Sequence, residues 1–361
     1  MAAGVPPAPL LLRCSRDVNA ASSGGMSQGR TPLKTRAVIW LILSGLLGSV
    51  APGGTVDLRL AQTIPLPGVE GRLDHLAIDL AGRRLFVCAL GNDSLEVIDL
   101  QKGARVRSIA GLGTPQGVAF IPASHRLYVA NDKAGLCQIY DGKSLTPLGN
   151  VDLGDDADNV RTDPVNGRVY VGYGNGGLAI IAAATGKLVG AVKLSAHPEA
   201  FVLEKNGPRI FVNLPDSQQV AVIDRTAAKV TASWKLDRAG GNFPIALNEA
   251  NRRLFVGCRS PAVLVVLDID TGNNIATVPI SGDADDIFYD VQRHRLYVVT
   301  GAGNIDVIDQ RDRDSYTMRG KVPTAPGART GLFVPELNRL FVAVPHRGNQ
   351  PAEVRCYDIA Q

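Results

Sequence analysis

One four-residue pattern returns seven times along this chain: Arg, then Leu, Ile or Val, then Phe or Tyr, then Val. Its arginines are Arg84, Arg126, Arg168, Arg209, Arg253, Arg295 and Arg339, spaced by 42, 42, 41, 44, 42 and 44 residues. A period of this size belongs to a solenoid or a propeller, each repeat being one supersecondary unit. Every copy sits among the same signals. A short apolar run such as Leu76-Ala77-Ile78 comes first, a Gly- or Asn-bearing turn follows, and the Arg-aromatic strand comes next. A third strand then ends in Val-Ile-Asp or a relative of it, and a fourth follows a Gly-bearing turn. Four antiparallel strands per repeat make one blade, so the chain is expected to be all-β, a seven-bladed β-propeller spanning residues 52–361.

The ends of the chain suggest how such a ring closes. The seventh unit stops at Asp358-Ile359-Ala360-Gln361, directly after its third strand, while Val56 to Ile64 reads as a fourth strand without a blade. Pairing the two leaves no open sheet edge where first and last blades meet, so the last blade is expected to be closed by the N-terminal strand. The repeated Arg and the near-constant Asp of the third strand face each other across two antiparallel strands, which predicts a structural ion pair in most blades.

Residues 1–25 are rich in Ala, Pro, Gly and Ser without any period, and are expected to be an unstructured leader, with Met26 an alternative start. Residues 26–51 read as a secretory signal. Lys34 and Arg36 are its charged region, Ala37 to Leu47 its apolar stretch and Ser49-Val50-Ala51 its cleavage site. The apolar run falls well short of the ~20 residues a membrane span needs, so a periplasmic or secreted protein with no membrane insertion after cleavage is expected. Residues 1–51 hold five basic side chains and one acidic, which accounts for the whole formal charge of +4. The remainder is neutral and has no electrostatic footprint for nucleic acid. Cys88, Cys137, Cys258 and Cys356 fall in four different repeats without C-x-x-C spacing, so isolated buried thiols are expected rather than a zinc site.

The Arg-Leu-Tyr-Val core followed by Val-Ile-Asp turns resembles the YVTN-repeat (YncE-like) β-propeller family. The resemblance covers residues 56–361 and implies a secreted or periplasmic seven-bladed propeller. It is specific for the fold and assigns no catalytic residue, since related propellers include lactonases, lyases, cofactor-dependent enzymes and binding proteins.

Departures from the repeat carry what functional signal there is. Ten positions before each motif Arg stand Asp74, Gln116, Asp158, Glu199, Phe243, Asp285 and Arg329. One position later come His75, Gly117, Asn159, Ala200, Pro244, Asp286 and Thr330. A propeller gathers these positions at one end of its shaft, so they form a ring rich in carboxylates. Asp74, Asp158, Glu199 and Asp285 are the oxygen donors that could hold Ca²⁺ or Mg²⁺ as a cofactor. The competing account is that short acidic residues merely cap turn amides.

Arg161 replaces a small apolar residue of the inner strand and is expected to meet a salt-bridge partner or, failing that, a ligand anion. His75, His197 and His346 belong to the ring face. The seventh unit takes 19 residues from Arg339 to Asp358 where the others take 14 or 15, and the extra length includes His346 and Arg347. With Arg329 and His75 these could form a basic rim between the seventh and first blades, although a plain surface loop fits as well. The ligand set is therefore Asp74, His75, Asn159, Arg161, Glu199, Arg329, His346 and Arg347. Two functions fit: a binding propeller for a small molecule, glycan or protein, or a metal-assisted lactonase- or lyase-type enzyme with His75 or His346 as acid or base. H-E-x-x-H is absent from the chain and G-x-S-x-G is absent from residues 52–361.

Overall fold

The alternation of the Arg-aromatic strand explains the architecture. In the first repeat Leu85 and Val87 point to one side of their sheet and Phe86 and Cys88 to the other, and all four are fully buried. Leu85 and Val87 pack with Phe341 and Val354 of the seventh repeat, while Phe86 and Cys88 pack with Leu127 and Val129 of the second. Both faces of a blade are therefore apolar, and each face needs a neighbouring blade to cover it. A ring satisfies that need for all units at once.

The computed structural model describes residues 56–360, and the leader and signal segments expected at 1–25 and 26–51 lie outside them. The described residues form seven four-stranded antiparallel sheets, the first six meandering outward in chain order. The innermost strands are Leu76–Asp79, Pro115–Ile121, Ala157–Asp163, Phe201–Leu203, Gly240–Asn248, Ala284–Asp290 and Thr330–Val334. The seventh sheet is completed as expected: Leu58–Pro65 pairs antiparallel with Glu353–Ile359, with Leu58 opposite Ile359 and Ile64 opposite Val354. Aromatic pairs cross the blade interfaces, Phe86 on Phe120 at 6.0 Å and Phe255 on Tyr289 at 5.5 Å between ring centroids. Cys88, Cys137, Cys258 and Cys356 are free and buried. No helix among the described residues is long and apolar enough to cross a membrane.

The expected Arg to Asp pairing holds in part. The register sets Arg84 opposite Asp99 and Arg209 opposite Asp224, as it does Arg253 opposite Asp268. The ion pair closes in the fifth, sixth and seventh blades, Arg253 to Asp268 at 2.7 Å, Arg295 to Asp309 at 2.9 Å and Arg339 to Asp358 at 2.9 Å. In the first and fourth blades the guanidinium turns instead to the carboxylate ending or following the innermost strand, Asp79 at 2.7 Å and Glu204 at 2.5 Å. Asp99 and Asp224 accept hydrogen bonds from the amides of the next turn, as Asp268 does, so the difference lies on the inner strand: Asp79 and Glu204 offer a carboxylate there, whereas the fifth and seventh blades have Asn248 and Val334 opposite the Arg and Asp290 of the sixth is held by Arg293. The repeated Asp is first a turn cap. The repeated Arg ties blades together, Arg84 donating to the Gly142 carbonyl at 2.5 Å and Arg209 to the Ile269 carbonyl at 2.5 Å.

Candidate functional site

Where the chain enters each innermost strand, the backbone turns inward at the same end of the ring. Asp74 shows how: its amide donates to the Cys88 carbonyl at 2.7 Å, and the Cys88 amide donates to the His75 carbonyl at 3.1 Å. The fourth blade repeats the arrangement with Glu199, Ala200 and Asn213. Side chains at these positions have nowhere to point but the shaft. All seven residues ten positions before the motif Arg, Asp74, Gln116, Asp158, Glu199, Phe243, Asp285 and Arg329, line one cavity of about 260 Å³ at the mouth. Arg72, His75, Asp156, His197 and Arg259 complete its wall. A second cavity of about 430 Å³ occupies the shaft itself, walled by the inner strands, with Phe120, Phe201, Phe288 and Phe333 among its apolar residues. His75 lines both.

Charge is distributed unevenly around the mouth. Arg329 bridges Asp283 and Asp285 at 3.0 and 2.9 Å. Arg259 meets Asp285 at 2.5 Å, with its guanidinium carbon 3.5 Å from the Phe243 ring centroid, so that blade's aromatic is a platform for a cation. Asp74, only 2% exposed, is ion-paired with Arg72 and lies 3.8 Å from His75 Nε2. Burial pushes the Asp74 carboxyl up against the opposing pull of Arg72 and His75. Burial likewise pushes Asp285 up to about 6 in spite of Arg329 and Arg259. His75 is the reverse case. Burial disfavours its cation, but Asp286, with its Oδ2 3.5 Å from His75 Nδ1, and then Asp74 outweigh that and raise the pKa to about 10. At neutral pH His75 is an imidazolium.

Neither Asp158 nor Glu199 is ion-paired with an arginine among the described residues. Asp158 is 6% exposed, and its one ion-pair contact among the described residues is with His197 Nε2 at 3.9 Å. Burial, Asp158 and Asp285 together push Glu199 up to about 8, with His197 and Arg259 pulling weakly the other way. Asp158, His197 and Glu199 can each offer a donor atom within 4.8 Å of the other two. His197 is fixed from behind, its Nδ1 2.7 Å from the Gly174 carbonyl. Asp158 is fixed by close packing: a Cβ on Gly117 of the neighbouring strand would stand 2.2 Å from the Asp158 carbonyl oxygen, so only glycine fits there.

The remaining candidates lie elsewhere. Arg161 faces the shaft cavity rather than the mouth. Its guanidinium donates to its own neighbour, the Val160 carbonyl, at 2.9 Å and stands 5.7 Å from the Phe201 ring centroid. The salt bridge expected for it is not formed with Asp163, which pairs with Arg225 at 3.0 Å. Asn159 is 1% exposed and lines neither cavity, and its Oδ1 has no hydrogen-bond partner among the described residues. His346 pairs with Glu70 at 2.7 Å outside the mouth lining, and its amide donates to the Gly71 carbonyl at 3.1 Å. The Arg347 guanidinium lies over Gly327. The long loop of the seventh blade thus staples that blade to the approach to the first. Of the basic rim expected at this seam, Arg329 and His75 reach the mouth with Asp74, and His346 and Arg347 do not.

Arg259 and Arg72 were not singled out from the sequence. For Arg259 a signal exists: it lies near the end of the second strand of its blade, Arg253–Ser260, on the face where the ring gathers. Arg72 precedes the ring position by two residues and breaks no pattern.

No family model matches the chain, and no curated protein matches it. Solved structures do. A chain of the Kuenenia stuttgartiensis hydrazine synthase is similar at 15% identity and TM-score 0.68, the match covering 76% of this chain and 93% of that one. A chain of a mitotic checkpoint complex is similar at 13% identity and TM-score 0.72, covering 91% and 100%. At these identities the likeness is one of fold, the seven-bladed β-propeller.

Proposed function

We propose that this protein is a binding propeller that recognises a small polar molecule at its mouth through a positively charged centre on that molecule. The observation that carries the reading is that Asp158 and Glu199, with His197 as their basic neighbour, lack the arginine ion pairs that hold Asp74 and Asp285. Buried carboxylates short of counter-charge are costly to ionise, as the rise of Glu199 to about 8 reflects, so a cation arriving there is favoured over one at the neutralised side of the mouth. The cavity, at about 260 Å³, lies below the roughly 300–1,000 Å³ typical of drug-sized sites, which suits a metabolite better than a glycan chain or a protein surface.

The test is a thermal-shift and calorimetric screen of the full chain against amino acids, amines, hydroxy acids and lactones, with and without divalent ions. Compounds that bind are expected to lose affinity at least tenfold in the double variant Asp158→Asn, Glu199→Gln. Binding unchanged in that variant overturns the reading. A metal-assisted reaction would draw on the same cavity, and turnover of the lactones in the same screen reads it out.

Kinship with the YVTN-repeat propellers is proposed on the seven motif copies. Export is proposed on the apolar run Ala37 to Leu47 ahead of Ala51. N-terminal sequencing of the protein from its own cell is expected to begin near Pro52, and an intact leader on soluble cytoplasmic protein contradicts export.

A further inference from the structure

We infer that Asp158, His197 and Glu199 form a binding site for one divalent transition-metal ion, of the zinc and manganese kind, at the mouth of the shaft. The inference deepens the reading of the mouth given above, the metal ion being the positive centre that anchors the ligand.

Three features of the site separate it from a group of solvated acids. Asp158 is a largely buried carboxylate that lines the cavity, and its one ion-pair contact among the described residues is the long one to His197 Nε2, the nitrogen donor of the trio. The second feature is the imidazole. A carbonyl oxygen only accepts, so the 2.7 Å contact with Gly174 makes His197 Nδ1 a protonated nitrogen, and Nε2 is the one a metal ion would take in exchange for its proton. Nε2 is the atom on the Asp158 side. A ring nitrogen held from behind by a backbone carbonyl, with the other aimed at carboxylates, is the arrangement by which metal-binding histidines are oriented. Third, the donors sit on rigid supports. Pro198 separates His197 from Glu199, the Glu199 amide donates to the Asn213 carbonyl at 3.0 Å, and Gly117 packs directly on the Asp158 backbone.

An imidazole with two carboxylates suits a transition ion better than Ca²⁺ or Mg²⁺, which take oxygen donors alone. Donors at about 2.0–2.1 Å from a tetrahedral ion stand about 3.3 Å apart, so donors that now lie within 4.8 Å of one another, Asp158 and His197 at 3.9 Å, draw closer on binding. Glu199, which has no hydrogen bond to break among the described residues, is the side chain free to move. With three protein donors, the ion keeps a position open toward the cavity, where a carboxylate, hydroxyl or amine of the bound molecule coordinates.

The experiment is calorimetry of the chelator-stripped full chain with Zn²⁺, Mn²⁺, Ca²⁺ and Mg²⁺ in turn, joined to Cu²⁺ electron paramagnetic resonance as a reporter of nitrogen ligation. One Zn²⁺ or Mn²⁺ per chain is expected, with affinity lowered at least 100-fold in His197→Gln and in Glu199→Gln and unchanged in the control His125→Gln. The nitrogen hyperfine signal is expected to vanish in His197→Gln alone. Absence of Zn²⁺ and Mn²⁺ binding, binding indifferent to both site variants, or a nitrogen signal that survives His197→Gln overturns the inference. A metal-free protein whose small-molecule binding still needs Asp158 and Glu199 would overturn the metal and leave the mouth reading standing. Small-molecule binding indifferent to the pair would instead remove the mouth reading, whatever the metal result.

Discussion

His75 Nδ1 of the first blade lies 3.5 Å from Asp286 Oδ2 of the sixth, and the same oxygen accepts a 2.8 Å hydrogen bond from the Gly331 amide of the seventh. One carboxylate thus joins three blades at the seam where the two ends of the chain meet. The pKa of His75, raised from its ordinary 6.5 to about 10, makes that junction a contributor to stability whose pH window is defined. The protonated form is the one favoured by folding, so the contribution is complete below pH 6.5 and lost as pH rises through 10. Unfolding free energy is expected to fall with a slope approaching about 1.4 kcal/mol per pH unit across that window. Asp286→Asn should flatten the slope and cost roughly 3 kcal/mol near pH 6, read by denaturant unfolding at a series of pH values.

Core and turn residues of the repeat should differ sharply in their effect. Phe341, fully buried between the seventh and first blades, is expected to cost about 3–5 kcal/mol on replacement by Ala. Asp99, whose repeated carboxylate caps turn amides, should cost only about 1 kcal/mol. Equal costs measured by chemical denaturation would contradict the division of labour between them.

Closure by the N-terminal strand yields a truncation test. A chain starting at Pro52 keeps Leu58–Pro65 and should melt at the same temperature as the full chain. A chain starting at Leu66 exposes the edge of Glu353–Ile359 and unpacks Leu58 and Ile64 from the core. It is expected to melt lower and to associate through that edge, visible in light scattering.

The fold was legible in the sequence because the repeat states the same physical demand seven times. A strand apolar on both faces, at a period near 42 residues, leaves little but a ring. The ring of Asp74, Gln116, Asp158, Glu199, Phe243, Asp285 and Arg329 was legible for the same reason: equivalent positions in equivalent blades must converge, and they share one cavity. How the charges pair within the ring was not. Arg72, two residues from Asp74, and Arg259, 26 from Asp285, neutralise them at spacings unrelated to the repeat, and so determine which carboxylates are left without an arginine. The partners of the repeated Arg escaped the pattern too, since register sets Arg84 opposite Asp99 on one side and Asp79 on the other, and the guanidinium closes on Asp79.

Gly117→Ala tests how firmly the site is held. The new methyl would stand 2.2 Å from the Asp158 carbonyl oxygen, so the third blade's inner strand has to move. Affinity at the mouth is expected to fall at least tenfold while the protein stays folded by circular dichroism. Unchanged affinity would mean that the position of Asp158 does not matter to binding.

A crystal structure of the full chain with a compound found in the binding screen tests the central claim most directly. Density for the compound, or for a metal ion carrying it, is expected in the mouth against Asp158 and Glu199. Density confined to the shaft beside Arg161, or to the outer faces of the blades, would contradict the assignment of the binding site to the ring.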